Sequence, residues 1–128
     1  MATAVTHGIR ITARARYEEA HSDAKAGRFI FSYRITISNR SEETVQLLHR
    51  HWTIHDSLAP VREVDGPGVV GETPVLAPGE EFSYSSACDL RSGFGRMEGN
   101  YRMLRARDGL MFHVQIPTMQ LASPFLVN

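Results

Sequence analysis

Apolar and polar residues alternate with a period of two along most of this chain, the pattern of strands that bury one face. Ile9, Ile11, Ala13, Ala15 and Tyr17 share one parity, opposed by Arg10, Thr12, Arg14 and Arg16. After a polar interval from Glu18 to Gly27, Phe29, Phe31, Tyr33, Ile35 and Ile37 point one way and Ser32, Arg34, Thr36 and Ser38 the other. Asn39-Arg40-Ser41-Glu42-Glu43 is a turn by composition. A third strand is expected over 44–56, with Leu48, Trp52 and Ile54 on the parity of Arg50, and His49, His51, Thr53 and His55 on the opposite face. Val61 to Val64 reads as a short strand, Leu76-Ala77-Pro78-Gly79 as a turn, and Glu81 to Ser85 as another strand. A loop with Gly93 and Gly95 leads into hairpin arms at about 96–105 and 110–117. The tip is Asp108-Gly109, and Leu110, Phe112, Val114 and Ile116 are expected to face the core. About seven short strands joined by Gly, Pro, Asn and Asp turns predict an all-β fold, an antiparallel β-sandwich.

Residues 66–71, Gly-Pro-Gly-Val-Val-Gly, carry the GxGxxG spacing of dinucleotide-binding turns. That chemistry needs a following helix, whose N-terminus supplies free N–H groups and a positive dipole. Pro74, Pro78 and Gly79 exclude the helix. A helix-free site remains conceivable, because successive amides of a Gly-rich turn can converge on a phosphate. Against it, Pro67 has no N–H, and Asp65 and Glu72 flank the loop with negative charge. Mg²⁺ held by Asp65 and Glu72 would bridge that repulsion. The structural alternative is a tight connection needing positive φ or close backbone approach at Gly66, Gly68 and Gly71.

His49 and His51 form a His-x-His pair with chelating geometry for Zn²⁺ or Co²⁺ on a strand. A third ligand must come from a neighbouring strand, and the final hairpin offers Glu98, Asn100 and His113. His55 is too far along the strand, about 13 Å from His51 at ~3.3 Å per residue. Arg50 shares the inward parity of Trp52, so it must find carbonyls or a carboxylate; otherwise the pair forms a recognition arginine beside an aromatic surface. Catalytic sets are poorly supported. Asp89 follows Cys88 and disfavours its thiolate, and Ser83, Ser85 and Ser86 lack a nucleophile elbow.

Composition narrows the classes further. At 128 residues the chain suits one domain. Fourteen basic against fourteen acidic residues leave no field for nucleic acid or anionic lipid, although the alternating Arg10, Arg14 and Arg16 make one weakly positive face. Cys88 is the single cysteine, which fits a reducing, cytoplasmic compartment. Met1 to Tyr17 lacks the apolar run of a signal peptide, and no stretch approaches the ~20 apolar residues of a membrane span.

The motifs together resemble one family. Gln46-Leu47-Leu48 with Arg50-x-Trp52, Gly66-x-Gly68-Val69-Val70-Gly71, Leu76-Ala77-Pro78-Gly79-Glu80-Glu81-Phe82, Met97-x-Gly99-x-Tyr101 and Ile116-Pro117 are similar, in order and spacing, to the ApaG family over about residues 8–126. The resemblance implies an immunoglobulin or fibronectin type III-like sandwich with no established enzymatic activity. The run at 76–82 also looks like the turn before a late strand of fibronectin type III domains, with Phe82 where a tyrosine is usual. It further implies loose associations with cobalt resistance and magnesium efflux, and with genes for a diadenosine tetraphosphate hydrolase and a ribosomal RNA methyltransferase. The same domain in eukaryotic F-box and polymerase-interacting proteins looks like an interaction module. The expected function is therefore non-catalytic binding of another protein, with no nucleic acid or membrane partner and no resident cofactor. The alternative is a regulator that binds a nucleotide or polyphosphate at 65–72, with Mg²⁺ or Co²⁺ as its divalent ion.

Overall fold

Most of the strands turn their apolar parity toward a facing sheet, and the two sheets of this computed structural model, which describes residues 1–124, enclose one buried cluster. Among the described residues the strands are β1 (Ala2–Thr6), β2 (Ile9–Tyr17), β3 (Phe29–Asn39), β4 (Val45–Asp56), β5 (Ala59–Pro67), β6 (Val75–Leu76), β7 (Glu81–Leu90), β8 (Phe94–Arg105) and β9 (Met111–Ala122). One antiparallel sheet has the order β1-β2-β3-β7; the other runs β5-β4-β8-β9, with β6 added to the start of β4. The only helical segments among these residues are 3₁₀ turns at Glu19–His21 and Ala24–Ala26, inside the polar interval. The all-β sandwich is thus what period-two burial predicts.

Ile9, Ile11, Phe31, Ile35 and Ile37 are buried from one sheet, and Trp52, Met97, Tyr101, Val114 and Ile116 from the other. Near the centre the hydroxyls of Tyr84 and Tyr101 are hydrogen-bonded at 2.5 Å, so neither buried phenol is left unsatisfied.

Several boundaries differ from expectation for identifiable reasons. β1 is an additional strand, joined to β2 by a two-residue turn with positive φ at His7 and Gly8. Its Ala and Thr residues give little hydrophobic contrast. The β4–β8 ladder slips between Leu47 and His49, so Leu47 is buried and Leu48, expected inward, is only half-buried. Such a bulge reverses side-chain parity, which no local pattern records. Leu110 is 50% exposed rather than in the core, because β9 begins one residue later. β9 then continues past Pro117 and buries Met119 and Leu121. β7 is ten residues long, and Gly95 lies within β8 instead of a loop.

The two sides of the sandwich differ. On one, β9 lies against β1 and β2, and the Gln115 amide donates to Thr6 Oγ1. On the other, the edges β5 and β7 are joined by a side chain: Arg62 donates to the Asp89 carbonyl at 2.6 Å and to its carboxylate at 3.3 Å.

Candidate functional site

The glycine loop is built around an arginine. Gly66 lies opposite Arg50 in the β4–β5 ladder, and a methyl group there would come within 3.1 Å of both terminal guanidinium nitrogens. Arg50 Nη1 donates to the carbonyls of Pro67 at 2.9 Å and Gly68 at 3.0 Å. Beyond it the chain reverses through Val70 (φ 44°) and Gly71 (φ 81°), the αL–αL pair of a type I′ turn. Amides of Val69 and Glu72 close that turn on each other's carbonyls, and the Gly68 amide donates to Leu48. The loop therefore presents carbonyl oxygens to a cation, while its Gly68, Val69 and Glu72 amides are taken within the protein. Asp65 and Glu72 flank the loop but do not share a role: Asp65 joins the histidines on the outer face, and Glu72 sits in the turn.

Trp52 is 2% exposed and packs edge-to-face on Tyr33 at 5.6 Å. It offers no surface platform, which corrects the reading of Arg50 and Trp52 as an exposed recognition pair. Arg50 instead lines a cavity of about 220 Å³ between the sheets, with Tyr33, Arg62, Ser86 and Cys88. Burial pushes the Cys88 thiol up to about 11; Arg62 opposes the shift and Asp89 adds to it. Its hydrogen-bond partners are Arg62 and the Asp89 carbonyl, neither of which is a base.

On the outer face of the second sheet, His49 Nε2 is bonded to Asp65 Oδ1, and His51 lies 3.3 Å from both Asp65 and Glu63. Those hydrogen bonds, that of His49 foremost, hold the Asp65 carboxyl below its usual range. His55 meets Glu98 at 2.8 Å. His113 does not join His49 and His51, because Arg102 on β8 stands between His49 and His113. Among the described residues no group of three or more His, Cys, Asp or Glu is arranged to hold a metal ion. The carboxylates that meet His49 and His51 come from β5, a pairing invisible without the register.

The first sheet's outer face was legible only as Arg10, Arg14 and Arg16. Register adds Arg34 directly opposite Arg14, with Ser85 of β7 next in the same row. Arg34 Nη1 donates to Ser85 Oγ at 3.3 Å. The adjoining row is Thr12, Thr36 and Ser83, whose last two hydroxyls are bonded at 2.9 Å. The acids of this face are engaged: Glu81 accepts from Ser38, Glu18 accepts from Ser32 and lies 3.6 Å from Arg16, and Asp89 pairs with Arg62 at 3.3 Å.

The ApaG domain, as a family model, matches residues 19–105, from the first 3₁₀ turn to the end of β8. The chain belongs to the ApaG family. Protein ApaG of Brucella canis is 46% identical over 124 residues, covering 97% of this chain and 95% of that protein. Protein ApaG of Brucella anthropi is 47% identical over the same shares. The crystal structure of a Bordetella pertussis protein described as ApaA superposes with a TM-score of 0.87 at 37% identity, covering 92% of this chain and 95% of that one. In this ApaG domain, Arg50 of the Arg50-x-Trp52 motif ties down the glycine loop through the Pro67 and Gly68 carbonyls.

Proposed function

We propose that this ApaG domain is a non-catalytic binding module that takes up an extended segment of another protein along the free edge of β7. One observation carries the reading. β7 pairs with β3 in unbroken register from Glu81 to Leu90 and, among the described residues, has no strand on its other side. Its phase follows from two bonds. The Asn39 amide donates to the Glu80 carbonyl, and Arg62 reaches the Asp89 carbonyl from the opposite side. Even-numbered residues therefore face β3, and Ser83, Ser85 and Ala87 direct N–H and C=O outward.

Edge strands are normally guarded by Lys, Pro, bulges or covering segments. β5 has such guards in Pro60, Arg62, Glu63, Asp65 and Pro67, whereas β1 and β9 close on each other. From Phe82 to Cys88, β7 carries no charge, proline or bulge. That is the geometry of strand addition. The protonated, enclosed Cys88 supports a non-catalytic role and a reducing, cytoplasmic setting.

A display library of ten-residue peptides tests the proposal. Enriched peptides are expected to protect the Ser83, Ser85 and Ala87 amides from hydrogen exchange. Ser85→Pro, which deletes one outward N–H without touching the β3 ladder, should weaken them at least about tenfold. Protection confined to other strands, or unchanged affinity in Ser85→Pro, would refute it. Titration with ATP and Mg²⁺ that shifts resonances only at 65–72 would favour the nucleotide reading instead.

A further inference from the structure

We infer that the segment taken up at β7 is acidic, and that Arg34, backed by Arg14, reads a carboxylate placed beside Ser85; the inference rests on the edge-strand reading above. Arg14 and Arg34 are direct cross-strand neighbours, an arrangement in which like charges repel. Among the described residues neither makes an ion pair, while the nearby Glu18 and Glu81 are engaged elsewhere. On the same face Arg10 keeps a buried Nε with no hydrogen-bond partner. The formal charge of the chain is zero, yet this sheet face gathers Arg10, Arg14, Arg16 and Arg34; Arg16 has Glu18 at 3.6 Å, whereas the facing Arg14 and Arg34 have no carboxylate between them among the described residues.

The third member of the Arg14–Arg34 row explains the direction in which the charge is offered. Ser85 is small, and the Arg34 guanidinium lies over it toward the free edge, donating to its hydroxyl at 3.3 Å. A strand added beyond β7 would run about 4.8 Å further out and set one side chain in line with Ser85. A Glu or Asp there meets the planar donors of Arg34, the geometry of a charge-assisted bond. It also relieves the repulsion between the two arginines. The adjoining Thr12, Thr36 and Ser83 row favours a polar, uncharged residue two positions along the partner.

A polypeptide fits better than a nucleic acid. The edge beside the arginines offers alternating N–H and C=O groups, which a peptide backbone matches and a phosphodiester chain does not. With zero net charge there is also no broad field to draw a polyanion.

Fluorescence anisotropy with three probes separates the possibilities: a ten-residue Thr/Val peptide with Glu at alternate outward positions, the same peptide with Gln there, and a single-stranded oligonucleotide. Wild type should bind the Glu peptide about tenfold more tightly than the Gln peptide. Arg14→Gln with Arg34→Gln should erase that preference, keeping the weaker Gln-peptide binding and the melting temperature. Ser85→Pro should weaken both peptides. Equal binding of Glu and Gln peptides by wild type would overturn the acidic reading while leaving the edge intact. If neither peptide binds, both readings fall. Tighter binding of the oligonucleotide than of either peptide would make the arginine face a nucleic-acid surface and overturn the inference.

Discussion

At Gly68 a methyl group would sit 2.3 Å from the Glu72 carbonyl oxygen, and the residue's φ of +60° already lies where L side chains are strained. At Gly71 φ is +81°, yet nothing lies within 4 Å of the same methyl. These two glycines of one motif therefore serve different ends, and alanine should distinguish them. Gly68→Ala is expected to cost ~3 kcal/mol or more, combining αL strain with a backbone collision. Gly71→Ala should cost only ~1 kcal/mol, the αL penalty by itself. Urea midpoints at unchanged m-value measure both, and equal losses would show that the spacing serves φ alone. Gly66 has a third use, since it leaves room for the Arg50 guanidinium. That Arg50 shares the inward parity of Trp52, and there needs carbonyls or a carboxylate, was legible in the sequence. Which carbonyls it takes, those of Pro67 and Gly68, depends on how the loop folds back.

Among the elements, β4 leaves no room for a side chain at two glycines of β8. Gly99 pairs with Trp52, and a Cβ there would meet the His51 carbonyl at 2.1 Å; Gly95 is constrained in the same way by His55, at 2.2 Å. Gly99→Ala should push the two strands apart locally. We expect amide exchange in residues 50–53 to quicken at least about tenfold and stability to fall by ~2 kcal/mol. Unchanged exchange there would show that the ladder absorbs the methyl by a small shift. The register slip at Leu47/His49 explains why parity read along β4 misplaced Leu48. A bulge depends on the partner strand, so alternation is informative only between bulges. β7 poses the opposite case. Its residues alternate cleanly, but its place at the end of the strand order, among the described residues, is a property of the sheet.

For the molecule as a whole, one source of acid sensitivity is the tie between the β4–β5 turn and the β7–β8 connection. The Asp56 carboxylate accepts from the Arg91 amide and the Ser92 hydroxyl at 2.7 Å each, and from the Leu58 amide at 3.1 Å. Burial alone would raise its pKa; the hydrogen bonds from Arg91, Ser92 and Leu58 outweigh burial and lower it. A folded pKa below the unfolded value of about 3.9 means stabilisation is fully present above that value. It is lost as pH falls through the folded pKa. Asp56→Asn should therefore lower the melting temperature most near neutrality, with the gap to wild type closing below about pH 4. Melting curves between about pH 2 and 7 check this, and a gap that widens in acid would reverse the sign. Asp65 and Asp108 are also held low, by His49 and Arg105 respectively, but they contribute equally to both proteins and drop out of the difference.

Local chemistry determined the class of this protein. Period-two burial requires strands with one wet face, turn residues separate them, and the ordered motifs identify the ApaG family. The inward parity of Arg50, the single Cys88 and the Asp108-Gly109 turn are equally local facts. Tertiary structure alone decided that β7 lies at the end of its sheet among the described residues, that Arg14, Arg34 and Ser85 form one row, and that His49 meets Asp65 rather than His113. The reason is physical. Strand order and register come from pairings between residues far apart in the chain, and a single bulge reverses the face on which every later side chain stands.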